Sequence, residues 1–166
     1  FMCAGLAFAW PMALFLILGS QFESFGMANA AAGLTGAIAS LLVGRFIDRG
    51  RHHQMLIIVS LCLAASFIFR ASASWSVVAA LIANATGAAV MAIYTTVLMS
   101  MIYDRAKNSG AAFRFHFVAE GGWDAGAALG CLAGAAVALM TDKVSLATLP
   151  AAAGLIVMYL CLRKKA

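Results

Sequence analysis

The chain has 166 residues, 64% of them hydrophobic and only 10% charged, with a mean hydropathy of +0.98. Soluble domains carry about a quarter charged residues, so this composition excludes disorder and argues against a water-dispersed fold. The net charge of +5 sits in gaps between apolar runs, which fits the charge bias around membrane spans and gives no reason to expect a nucleic-acid partner.

At about 20 apolar residues per crossing, the chain accommodates six spans with short loops. The first is expected over about 2–20, with Trp10-Pro11 predicting a kink, and the polar stretch Gln21 to Ser24 closing it. The second covers about 26–47 and is rich in small residues; Asp48 to Gln54 follows as a hydrophilic loop. The third, about 55–69, is almost pure Leu, Ile, Phe and Ala, and Arg70 to Ser74 reads as a turn beside Trp75, an aromatic suited to headgroup depth. The fourth, about 75–102, carries Asn84, Thr86, Tyr94, Thr95 and Thr96 before the polar loop Asp104 to Ser109. The fifth, about 115–140, holds Glu120 and Asp124; Asp142-Lys143 is a tight turn, and the sixth covers about 144–162. No ten-residue blocks of period-two alternation occur, so a transmembrane β-barrel is excluded. The fold class is therefore an all-α polytopic membrane protein, a single six-transmembrane-helix bundle over 1–166.

Of the eleven basic residues, nine fall after spans two and four or in the tail: Arg45, Arg49, Arg51, Arg105, Lys107, Arg114, Arg163, Lys164 and Lys165. The positive-inside rule makes that side cytoplasmic, with both ends of the chain on it. The expected location is the inner or plasma membrane of a cell, in multi-pass form. The four cysteines lie far apart in apolar runs and read as lipid-embedded hydrophobes. His52-His53 has no Cys or carboxylate companion at ligand spacing, so neither a metal nor a cofactor is expected. The chain opens on Phe1 with no charged leader, which reads as a piece of something longer.

Two local patterns bear on function. Between spans two and three stands Gly44-Arg45-Phe46-Ile47-Asp48-Arg49-Gly50-Arg51-His52-His53. It resembles the signature loop of the major facilitator superfamily, Gly-x-x-x-Asp-Arg-x-Gly-Arg-Arg/Lys, found between the second and third helices of each six-helix half. Gly44, Asp48 and Arg49 match in spacing, whereas Gly50 and Arg51 match in type but come one residue early, and His53 stands where a basic residue is usual. The resemblance implies a C-terminal half, helices seven to twelve of a twelve-helix transporter fold. The gating loop would be Gly44, Asp48, Arg49, Gly50 and Arg51, and the partner a missing N-terminal six-helix half. It further implies secondary active transport of a small solute by alternating access, as symport or antiport, with the third and sixth helices outermost. Those spans are accordingly among the least polar.

The second pattern is on span five. His116, Glu120 and Asp124 recur every four residues and share one helical stripe. Gly122, Gly126, Gly130 and Gly134 repeat at the same interval about 200° away, a groove suited to close helix packing in lipid. Carboxylates within a bilayer tend to face a cavity, a partner or an ion path. Two roles stay open for them: proton coupling, or a static ion pair of Glu120 with Arg114, Arg49 or Arg51. Asn84, Tyr94 and Thr95 are candidates for lining the solute path, although membrane threonines commonly bond back to their own helix.

Two other classes compete with a carrier. A solute-binding subunit of an ATP-driven vitamin importer has similar length and should carry an intact N-terminus and Ala-x-x-x-Ala docking patterns on its first helix; the missing start and the signature loop argue against it. A non-catalytic structural subunit would have little use for two intramembrane acids. An intramembrane protease needs a Gly-x-Ser-Gly nucleophile or aspartates on facing spans, and the chain has neither, so it is not expected to be an enzyme.

Overall fold

The computed structural model describes residues 5–47 and 52–163. Six α-helices follow one another: α1 Trp10–Ile17, α2 Phe22–Ile47, α3 His52–Ser72, α4 Val77–Asn108, α5 Ala112–Thr141 and α6 Pro150–Arg163. Among the described residues there is no strand. Helices α2 to α5 supply four segments long and apolar enough to cross a membrane; Ala7–Ile17 and Val144–Leu160 are shorter apolar segments. This is the build of a membrane protein. Its outside agrees, since Phe113, Met140, Leu139 and Phe22 are all more than 80% exposed, which water would penalise and acyl chains do not.

Several element ends depart from the reading of the sequence. Phe22 to Ser24, Arg70 and Asp104 to Asn108 are helical rather than loop. The reason is that a helix satisfies its own backbone, so polar side chains at headgroup depth extend it instead of ending it. The sixth segment begins with a 3₁₀ turn, Val144–Thr148, and its α-helix starts only at Pro150, a residue favoured in a first turn because its missing N–H would go unused there. Around Pro11 a π-helical turn, Gly5–Ala9, leads directly into α1. Such wide turns are one way a helix absorbs a local irregularity. After α5 the chain reverses through Asp142, whose φ of 52° is left-handed, as the expected tight turn requires.

α4 is the centre of the body, with ten buried residues along its length. On one side α2 lies against it through a stripe of small residues, Ala28, Ala32 and Gly36. A Cβ added at Gly36 would stand 3.3 Å from the Ala88 carbonyl oxygen. The Thr35 hydroxyl shares its proton between the Ala32 carbonyl of its own helix (2.7 Å) and Ala85 of α4 (3.1 Å). On the other side Leu56, Val59, Leu63 and Phe67 of α3 meet Tyr94, Val97, Leu98 and Ile102 of α4, joined by Ala151 and Leu155 of α6. The spacing 56, 59, 63, 67 is the stripe of an amphipathic helix pointed at protein instead of water. A second core, near the opposite end of α4, unites Trp10, Ala13 and Leu14 of α1 with Ala28, Ala73, Ala79, Ala80 and Ala83.

α5 differs from the rest. Of its thirty residues only Gly130 and Gly134 are buried. Low polarity and outer position therefore do not coincide inside this body: α3, apolar by sequence, is well packed, and α5, which carries the acids, is the barest long helix.

Candidate functional site

The α5 stripe forms as its spacing requires, in a helix about 45 Å long at 1.5 Å per residue. Asp124 lies about 18 Å along it, near the middle, and Glu120 one turn earlier. Both are exposed. Among the described residues none makes a hydrogen bond or ion pair with either carboxylate. Arg114 is exposed as well, and no pair joins it to Glu120. His116 is half-buried, its ring 5.8 Å from that of Tyr103 and 6.0 Å from that of Phe115. The side of α5 with the carboxylates thus stays open, a titratable strip on a membrane-length helix.

The glycine stripe behaves differently at its two ends. Gly130 and Gly134 are buried, and a Cβ at Gly134 would lie 3.3 Å from the Ala147 carbonyl oxygen in the 3₁₀ turn. At Gly122 nothing stands within 4 Å of such an atom. Close backbone packing therefore holds the last part of α5 to the body, while its first part meets the core through the side chains of Phe115 and Trp123.

Two of the solute-path candidates on α4 are interior residues. Asn84 is buried with both ends of its amide engaged: Trp10 Nε1 donates to its Oδ1 at 2.9 Å, and its Nδ2 donates to the Ala28 carbonyl at 3.2 Å. One side chain thereby ties α1, α2 and α4 together. Tyr94 is 1% exposed in the α3–α4 core. Thr95 is half-buried. Its neighbours along the helix follow the back-bonding expected of membrane threonines: Thr86 donates to Ile82 at 2.7 Å and Thr96 to Ala92 at 2.9 Å.

Of the gating loop, Gly44 falls near the end of α2, while Asp48, Arg49, Gly50 and Arg51 lie outside the described residues.

Two features were not anticipated from sequence. The first is Arg70, read as a loop residue, which is helical and only 3% exposed. Its Nε donates to the Ala83 carbonyl at 3.5 Å, and its guanidinium carbon lies 5.1 Å from the Trp10 ring centroid. It extends the α3 stripe three residues beyond Phe67, a signal that was available in the spacing. The second is an apolar cleft of about 480 Å³ between α1, the start of α2 and the last part of α5. Phe8, Phe15, Phe22 and Phe25 line one wall, and Cys131 and Ala147 the other. Its size is within the range of small-molecule sites. No group of three or more His, Cys, Asp or Glu gathers among the described residues in a way that could hold a metal ion.

Comparison with protein-family models, with curated proteins and with solved structures returns no match for this chain.

Proposed function

We propose that the chain is one six-span half of a secondary active transporter of the major facilitator type, moving a small solute by alternating access. The observation that carries this reading is the open carboxylate strip of α5. Two acids near the middle of an apolar helix are costly against lipid tails, and the six helices of this body do not cover them. A second six-helix half placed against α5 would enclose them beside a wet central space, which is how carriers built of paired repeats position their sites. The low burial of α5, the least covered of the four long helices, is compatible with such a partner, although α3, which the resemblance makes an outer helix, is well packed. The partly matching loop between α2 and α3 and its basic surroundings support the same family and put that end in the cytoplasm.

In this arrangement Asp124, the deeper acid, carries the coupling proton, and Glu120 stands nearer the cytoplasmic face. The test is uptake by full-length protein reconstituted in liposomes. Asp124→Asn should abolish pH-gradient-driven uptake with expression and thermal stability unchanged, whereas Glu120→Gln should weaken it less. Undiminished pH-driven uptake by Asp124→Asn would remove the coupling role.

A further inference from the structure

The cleft between α1, the start of α2 and the last part of α5 has walls that are fixed by protein contacts of their own. On one side Phe15 of α1 meets Phe22 and Phe25 of α2, with ring centroids 5.0 and 5.7 Å apart. On the other, Gly134 lets α5 close on the Ala147 carbonyl, and Gly130, Ala135 and Ala138 give that helix a face of small residues. Among the described residues no lining side chain carries a charge, a hydroxyl or an amide; the sulfurs of Met12 and Cys131 are the least apolar atoms that side chains bring to it. A polar solute would lose its hydrogen bonds to water there and gain none from side chains. The cleft therefore selects an apolar guest.

Its place in the fold says which one. The lining residues Phe8, Met12 and Phe22 are largely exposed, so the cleft opens on the surface that this membrane protein turns to acyl chains. It begins where α5 ends and α2 starts, at Val144 and Phe22. Its deepest residue on α5, Gly130, stands eleven residues before Thr141, about 16 Å at 1.5 Å per residue. The hydrocarbon core is about 30 Å thick, so the cleft is one leaflet deep. At its head, charged residues of both signs adjoin the walls: Asp142 and Lys143 directly precede Val144, and Glu23 directly follows Phe22. All three are exposed, and none pairs with another described residue.

We infer that the cleft holds one acyl chain of a phospholipid of that leaflet, with a head carrying both a phosphate and an ammonium. The phosphate turns toward Lys143, and the ammonium toward Glu23 and Asp142. Bulk lipid tails are as apolar as the cleft, so burial alone gives the bound lipid no preference. It gains contact with two fixed walls that would otherwise face a void, and charge pairing at the head. The site lies apart from the carboxylates of α5 and requires no transport activity.

The test is native mass spectrometry of the delipidated full-length protein in detergent, titrated with dioleoyl phosphatidylethanolamine or with dioleoyl phosphatidylglycerol. The first lipid should bind saturably at one copy per chain. It should bind about tenfold more tightly than the second, which lacks the ammonium, since one charge-assisted hydrogen bond is worth about that factor. Ala135→Phe fills the cleft from an exposed position of its wall and should abolish the saturable binding. Ala136→Phe, exposed on the same helix but outside the cleft, should leave it intact. Lys143→Gln should weaken it about tenfold and leave thermal unfolding of the lipid-free protein unchanged. A graded, unsaturable series alike for the two lipids would overturn the inference, as would saturable binding that persists in Ala135→Phe, an equal loss in Ala136→Phe, or an unchanged affinity in Lys143→Gln. So would a full-length protein that takes up no lipid because further chain or a second copy covers the cleft, the copy being seen as a dimer mass. If Ala135→Phe does not fold, the comparison of the two lipids and Lys143→Gln decide it.

Discussion

The α3–α4 region and α5 are built from similar residues and solve opposite problems. Between α3 and α4, apolar stripes interlock along the whole contact, and the polar groups near its end hold one another: Asn84 with Trp10 and Ala28, Arg70 with Ala83 and Trp10. α5 keeps two glycines against the body and leaves its acids unpaired on the open side. Packed polarity of the first kind fixes an arrangement of helices, while unpacked polarity of the second kind is available to water, a proton or a further surface. The difference separates a packed region from an open one within one chain.

That contrast can be broken by substitution. The largest effect is expected for Phe67→Ala, which empties a fully buried position and should lower stability by about 3–5 kcal/mol. Phe117→Ala on α5, 74% exposed, should stay within about 0.5 kcal/mol in the same denaturation assay. Equal losses at the two positions would show that α5 is as deeply packed as α3. Asn84→Ala comes next: it strands the Trp10 indole N–H and the Ala28 carbonyl, a loss of about 1–3 kcal/mol. Asn84→Asp should not rescue it, because the carboxylate keeps an acceptor for Trp10 but cannot donate to Ala28. Gly134→Val presses a branched side chain on the Ala147 carbonyl and should cost about 1–2 kcal/mol. An effect of opposite sign is expected from Gly122→Ala, which meets open space and should gain about 0.5–1 kcal/mol from helix propensity. A loss there in the full-length protein would reveal a neighbour covering the first part of α5.

Much of the architecture was legible in the sequence because apolar runs and the polar breaks between them are set by bilayer thickness. The helices appear in the expected order, and Asp142-Lys143 turns where expected. The misplaced helix ends share one origin, the use of charge as a marker of loops. Arg70, Asp104 and Lys107 are helical, since a charged side chain can stand at the end of a span without disturbing the backbone bonds below it. The α5 stripe was readable because period four survives any tertiary context. Which side of that helix would be covered was not, for this depends on where the 3₁₀ turn at 144–148 docks. The fate of Asn84 was equally hidden: its partners Trp10 and Ala28 are 74 and 56 residues away, and no local spacing encodes such a meeting. The 56-59-63-67 stripe did contain Arg70 as its next member, and continuing the stripe past the charge would have placed it inside.

The seam between α2 and α4 has a consequence for movement. With the Thr35 hydroxyl bridging to Ala85 and Gly36 leaving little room for a side chain before the Ala88 carbonyl, a slide of one helix by a residue would break that bond and bring a larger residue onto the Ala88 carbonyl. The two should move as one plank in any rearrangement of the bundle. Probes placed on Met27 and Ile82, both outward-facing, should hold a constant separation under every condition in which the distance is measured.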